Sequence, residues 1–246
     1  MALDWPVGAG IWQAGRVNDR SRAVPLLVGL GVAGVVAALL LYGSLHLLPP
    51  SAELDWTRRT ISQYALLPNG WLFDSATLLL AAGSLAVLAA LRSAGVTRRA
   101  AVVALLLWVA GLVGVVWFEK HNWAAGPSIS GDIHRVASLV AFVSLPVGAL
   151  LAAGPWLRRP GARLPAHLVV LGSLVSLACC TPILWALLSE PWTGVRWWQA
   201  IPLGAVERLL GLAEVTTVLL LAWWAVRARQ PTRMLAPAGR SARPEP

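Results

Sequence analysis

Lysine is all but missing from this 246-residue chain: Lys120 is the only one, and the rest of its 20 basic side chains are arginines. Cysteine is nearly as scarce. The neighbours Cys179 and Cys180 are the whole supply, which excludes a disulfide framework and any four-thiolate zinc or iron–sulfur site built from this chain alone. Charge of either sign is thin as well, at 13% of residues against 57% hydrophobic, with a mean hydropathy of +0.67. Water-soluble domains carry about 25% charged residues. That shortfall excludes a soluble domain of this size and places the chain in a bilayer.

What is present is a series of long apolar runs. A helix crossing a hydrocarbon core of about 30 Å needs about 20 apolar residues at about 1.5 Å each. Six stretches qualify, at about 25–45, 71–91, 100–118, 136–156, 166–188 and 203–226. The expected fold is therefore all-α, an integral membrane bundle of six transmembrane helices. Residues 1–24 carry Asp4, Arg16, Asp19, Arg20 and Arg22, and no small-residue cleavage site follows the first run, so it reads as a retained span behind a cytoplasmic segment. Residues 227–246, rich in Pro, Arg and Ala, read as a disordered basic tail. No internal repeat is visible.

The cations alternate from one flank to the other. The N-terminal segment, the second-to-third and fourth-to-fifth connections and the C-terminal tail hold 14 of the 20 cations with three acids, a net of +11. The opposite flank, counted with the outer helix ends, comes to −2. By the positive-inside rule both termini are cytoplasmic. The overall +9 then reports orientation and contact with membrane lipids, not a nucleic-acid partner. Tryptophan fits the same placement, with Trp56, Trp71, Trp117, Trp123, Trp192, Trp197 and Trp198 at the outer boundary and Trp156, Trp223 and Trp224 at the inner one. Trp108 and Trp185 fall deeper and read as packed core.

Ionisable groups inside a membrane cost several kcal/mol, about 3 or more, unless paired or wetted, so each marks a candidate site. Glu207 and Glu214 are two helical turns apart on one face, with Gly211 between them leaving room for a helix or a ligand. Arg208 lies about 100° around the helix and should pair with another helix; Asp74, at the outer end of the second span, is the expected partner. Glu214 lies near the bilayer centre with no cation at its own level, as a proton relay or a hydrogen-bonded core carboxyl. His46, His121 and His134 fall on the outer side, His134 four residues before Ser138, with Asp132 near by. No pair has the HxxxH spacing of a helical metal site, so no metal and no cofactor is expected. With only His167 on the inner side, a two-haem conduit is excluded. Ser62 with His134 as base would make a hydrolase, though no GxSxG elbow surrounds Ser62. Asp74, Thr77, Ala81 and Ser84 read as a helix-packing seam, and Pro146 and Pro182 should free carbonyls one turn back that Ser or Thr neighbours can satisfy.

Three segments carry a resemblance: RRTISQYALLPNGWLFD at 58–74, GPSISGDIHRVASLVAFVSLP at 126–146 and GAVERLLGLAE at 204–214. Together they resemble the bacterial membrane-protein family called domain of unknown function 998, over essentially all six spans. The resemblance implies a small multi-pass helical protein and no established activity. It points to Arg59, Ser62, Tyr64, Asp74, His134 and the Glu207–Arg208 pair. Many relatives carry an acid where this chain has Gln63. The arginine-rich composition suits a high-GC bacterium, which implies the inner (plasma) membrane.

The functional expectation is an outer-facing polar pocket, built from His46, Arg59, Ser62, Tyr64, Asp74, Asp132, His134, Ser138, Glu207, Arg208 and Glu214, that binds a lipid-like or amphipathic molecule. The alternatives are a membrane hydrolase or transferase working through Ser62 and His134, and a proton-coupled carrier working through Glu214.

Overall fold

The chain is described by a computed structural model over residues 8–122, 125–160 and 162–228, with side chains from residue 23 onward. Most of the basic C-terminal tail, the side chains of the N-terminal segment before residue 23, and Trp123 lie outside the described residues. The elements are α1 (Gly8–Ser44), α2 (Trp71–Ser93), α3 (Arg99–Trp117), α4 (Ile129–Ala153), α5 (Arg163–Thr193), the short α6 (Trp197–Ala200) and α7 (Leu203–Arg227), with no strand among the described residues. Six of these helices are long and apolar enough to cross a membrane, α1 from Ala23 onward. The all-α six-span architecture is as the sequence implies.

α1 is already helical at Gly8, ahead of the apolar run expected at 25–45 and within the segment expected to precede it, and two further boundaries differ from the hydropathy limits for physical reasons. α4 starts at Ile129, seven residues before its apolar run, because Ser128 caps it: the Ser128 Oγ accepts from the Gly131 N–H at 3.1 Å. The added turns are polar and hold Asp132 and His134, so a hydropathy window passes over them. α5 runs on through Pro182 and Pro191 to Thr193 and stops at Gly194, whose φ of +66° is a left-handed conformation that suits glycine. Pro182 cannot donate to the Ala178 carbonyl, and the Thr181 hydroxyl donates to it instead at 2.7 Å.

α1 packs on α2, α3 on α4 and α5 on α7, while α7 also meets α1, α2 and α4 and so sits at the centre of the bundle. Many leucines on the outer faces are exposed, Leu40, Leu106 and Leu171 among them. That suits lipid, where apolar surface gives no drive to bury and helices associate through close fit of small residues. Gly34 of α1 is such a place: a Cβ there would lie 3.1 Å from the Gly83 Cα of α2. Gly111 of α3 is another, its Cβ position being 2.8 Å from the Ala137 carbonyl of α4. The polar seam on α2 works as read, since Thr77 meets the Tyr42 hydroxyl at 2.7 Å and Ser84 accepts from the Trp108 indole at 3.0 Å. Trp108 is buried, whereas Trp185 is 70% exposed and is a flank residue rather than core.

Candidate functional site

The polar side chains gather at one end of the bundle, where the connections 45–70, 118–128 and 194–202 lie. The first of these is laid directly on the start of α7. The Asp55 carboxylate accepts from the Thr57 hydroxyl and N–H, which hold it below the ordinary carboxylate range. The turn so fixed presents the Thr57 carbonyl to the Ala205 N–H at 3.0 Å. Contact is so close that a Cβ on Gly204 would collide with the Arg59 carbonyl oxygen.

Arg208 closes this junction. Its Nη1 donates to the Arg59 and Gly204 carbonyls, both at 2.9 Å, its Nη2 to the Tyr64 hydroxyl at 2.8 Å, and its Nε to His46 Nε2 at 2.9 Å. The guanidinium also lies 5.5 Å from the centroid of the Tyr64 ring, a cation–π contact. His46 in turn donates from Nδ1 to the Tyr42 carbonyl at 2.9 Å, which leaves Nε2 as the acceptor Arg208 needs. Arg208 therefore does reach other elements, as its position on α7 implies, but its partners are neutral. Asp74 is not among them. It sits in the first turn of α2, where a carboxylate faces the positive end of the helix dipole.

Glu207 holds the same connection one step further along. Its Oε2 accepts from the Ile61 N–H at 2.6 Å and so fixes the start of the 3-10 turn Ile61–Leu66, which carries Ser62 and Tyr64. Tyr64 is buried with Leu45, Leu72 and Phe73 in a small apolar cluster under the connection. Arg59 contributes its carbonyl here, and its side chain is exposed.

The second connection reaches the same turn through a residue that spacing and motif leave unmarked. Lys120 Nζ is bonded to Thr60 Oγ1 and, at 3.0 Å, to Ser62 Oγ. Burial holds its ammonium below the ordinary lysine value, with Glu207 opposing that shift and Arg135 and Arg59 adding to it. One signal existed in the sequence: a chain that otherwise uses arginine for every cation has lysine at this one position.

The histidines do not converge. His121 accepts the Ser128 N–H on Nδ1 and meets Asp132 through Nε2 at 3.3 Å, while its ring fills the space over Gly131. His134 donates from Nδ1 to the Phe118 carbonyl at 2.9 Å, and its Nε2 is buried without a partner. Ser138 donates to the His134 carbonyl at 2.9 Å. Ser62 thus meets Lys120, and the Ser62–His134 pairing considered from sequence is replaced. Among the described residues no three His, Cys, Asp or Glu side chains form a group able to hold a metal ion.

Below this polar layer lies a cavity of about 280 Å³ between α1, α2, α3, α4 and α7. His46, Ser62, Glu207 and Arg208 line one end and Glu214 another part, with Ser138 also on the wall. Tyr42 and Thr77 also line it, and most of the rest is apolar, including Leu39, Phe73, Leu80, Leu112 and Phe142. Glu207, Gly211 and Glu214 all face it, as their shared helical face requires. Glu214 is 1% exposed and its Oε1 has no hydrogen-bond partner. Gly43 and Gly211 also line the cavity, and a Cβ on either would meet nothing within 4 Å.

Six apolar helices, small-residue seams and a polar cap over an apolar cavity define a multi-pass helical membrane protein. Residues 32–224 match the family described as Protein of unknown function (DUF998), and the chain belongs to that family. Comparisons with curated proteins and with solved structures give no match.

Proposed function

We propose that the cavity binds a lipid-like or amphipathic molecule drawn from the outer leaflet of the bacterial inner membrane, its tail against the apolar wall and its polar end at His46, Ser62, Glu207 and Arg208. The observation that carries this reading is the position of Leu39 and Leu212. Each lines the cavity, and each is also exposed on the flank of the bundle, at 39% and 59%. A cavity rimmed by side chains that also face lipid has a sideways entrance between α1 and α7. Open space beside Gly43 and Gly211 lies on the same two helices. A few polar groups on one end of an otherwise apolar hollow is the usual composition of a ligand site.

Gly211→Leu tests it. The side chain enters open space, so the melting temperature should hold or rise. The phospholipid or acyl lipid that co-purifies with the unsubstituted protein, read by native mass spectrometry, should fall at least about tenfold, the effect of about 1.4 kcal/mol. Equal lipid retention by both proteins would refute the reading.

Orientation rests on charge. A cysteine placed at Asn122 should react with a membrane-impermeant maleimide from outside the cell, and one at Gln230 only after permeabilisation. The reverse pattern would turn the cavity toward the cytoplasm.

A further inference from the structure

We infer that Ser62 and Lys120 form a nucleophile–base pair that transfers the acyl group of an ester-bearing amphipathic lipid, an inference that rests on the cavity being a lipid site. Ser62 lines the cavity and is 8% exposed, while Lys120 reaches its Oγ from the second connection without lining the cavity itself. This is the arrangement an activated serine needs: a buried hydroxyl toward the ligand with a half-buried base on its other side. A third group orients the base, because Thr60 Oγ1 holds another position on Lys120 Nζ. The backbone beside Ser62 is fixed by Glu207, which makes Glu207 a positioning residue. Arg208 uses four of its five N–H groups on the Arg59 carbonyl, the Tyr64 hydroxyl, His46 and the Gly204 carbonyl of its own helix. One on Nη2 is left at the same end of the cavity, where a carbonyl oxygen gaining charge would lie.

A lysine serves as base only as the free amine, and burial favours that form here. The step is conserved in atoms and charge. Lys120 Nζ takes the Ser62 proton as Oγ bonds to the ester carbonyl carbon. The tetrahedral adduct collapses with cleavage of the bond to the alcohol oxygen, which receives the proton from Lys120. Water, deprotonated by the same amine, then attacks the acyl-serine, releases the carboxylic acid and restores Ser62. The charged and titratable groups around Lys120 are Glu207 of α7, His134 and Arg135 of α4 and Arg59 of the first connection.

The test uses the full chain in lipid nanodiscs with a long-chain alkyl fluorophosphonate, read as the mass of the Ser62 peptide. One adduct is expected on Ser62, absent in Ser62→Ala. Its rate should rise with pH, because the neutral amine is the working form, and level off below the pH at which a free lysine would. Lys120→Arg keeps a cation and donors for Thr60 but cannot give up its proton, so labelling should slow at least about 100-fold. A lysine that merely ties two connections together would leave that rate unchanged. Lys120→Met gives the same comparison should arginine not fit. An unlabelled Ser62, or Lys120→Arg reacting at the unsubstituted rate, overturns the inference. If lipid is retained while Ser62 stays unlabelled, only the acyl-transfer inference falls. If Gly211→Leu leaves both lipid retention and long-chain labelling unchanged, the lipid-site reading falls and the lipid substrate falls with it, while labelled Ser62 still reports a serine activated by Lys120.

Discussion

Arg208→Ala is expected to be the most damaging single truncation in the cap. It removes the donors that hold the Arg59 carbonyl, the Tyr64 hydroxyl and His46 against α7. Hydrogen bonds from a charged donor contribute about 1.5–3 kcal/mol each. Arg208 is only half-buried, so water replaces part of the loss, and about 3 kcal/mol is the expected destabilisation. The melting temperature in detergent should fall accordingly, and limited proteolysis should cut first within 54–66. Arg208→Lys should recover only a minor part, because one ammonium cannot span two carbonyls, a phenol and an imidazole at once. Full stability in Arg208→Ala would mean that Gly204, the Thr57 carbonyl and the Tyr64 cluster hold the connection alone.

Glu214→Leu is expected to act in the opposite direction. A buried carboxyl oxygen without a partner costs about 1–3 kcal/mol, and leucine fills similar space with no polar atom. The delipidated variant should therefore melt higher than the unsubstituted protein by a corresponding amount. If the cavity takes the proposed ligand, retention of that ligand should fall together with that gain, since a carboxyl on the cavity wall is gone. Glu214→Gln separates the two effects: it keeps a hydrogen-bonding group for binding, and in a proton-coupled carrier it would stop transport without stopping binding. A Glu214→Leu protein that melts lower would show that the carboxyl is used within the bundle.

The spans were legible because membrane thickness sets a length that apolar runs must meet, and no other constraint competes with it. Glu207, Gly211 and Glu214 were legible for a similar reason, since helical periodicity alone puts them on one face. Periodicity says nothing about what an irregular connection brings to a helix. Arg208 could be seen to need partners, but carbonyls such as that of Arg59 leave no trace in side-chain pattern, so Asp74 stood in for them. Lys120 lies in a connection with no period at all, and its link to Ser62 crosses 58 residues. Hydropathy also missed the start of α4, because Ser128 caps a helix whose first turns are polar.

The sideways entrance proposed between Leu39 and Leu212 would fix the units in which occupancy must be counted. A molecule that arrives through the bilayer is present at a mole fraction of the leaflet, and diluting the aqueous phase does not change it. Titrations against bulk concentration would report the partition of the ligand into the membrane. Varying its share of the lipid at constant total lipid would report the protein.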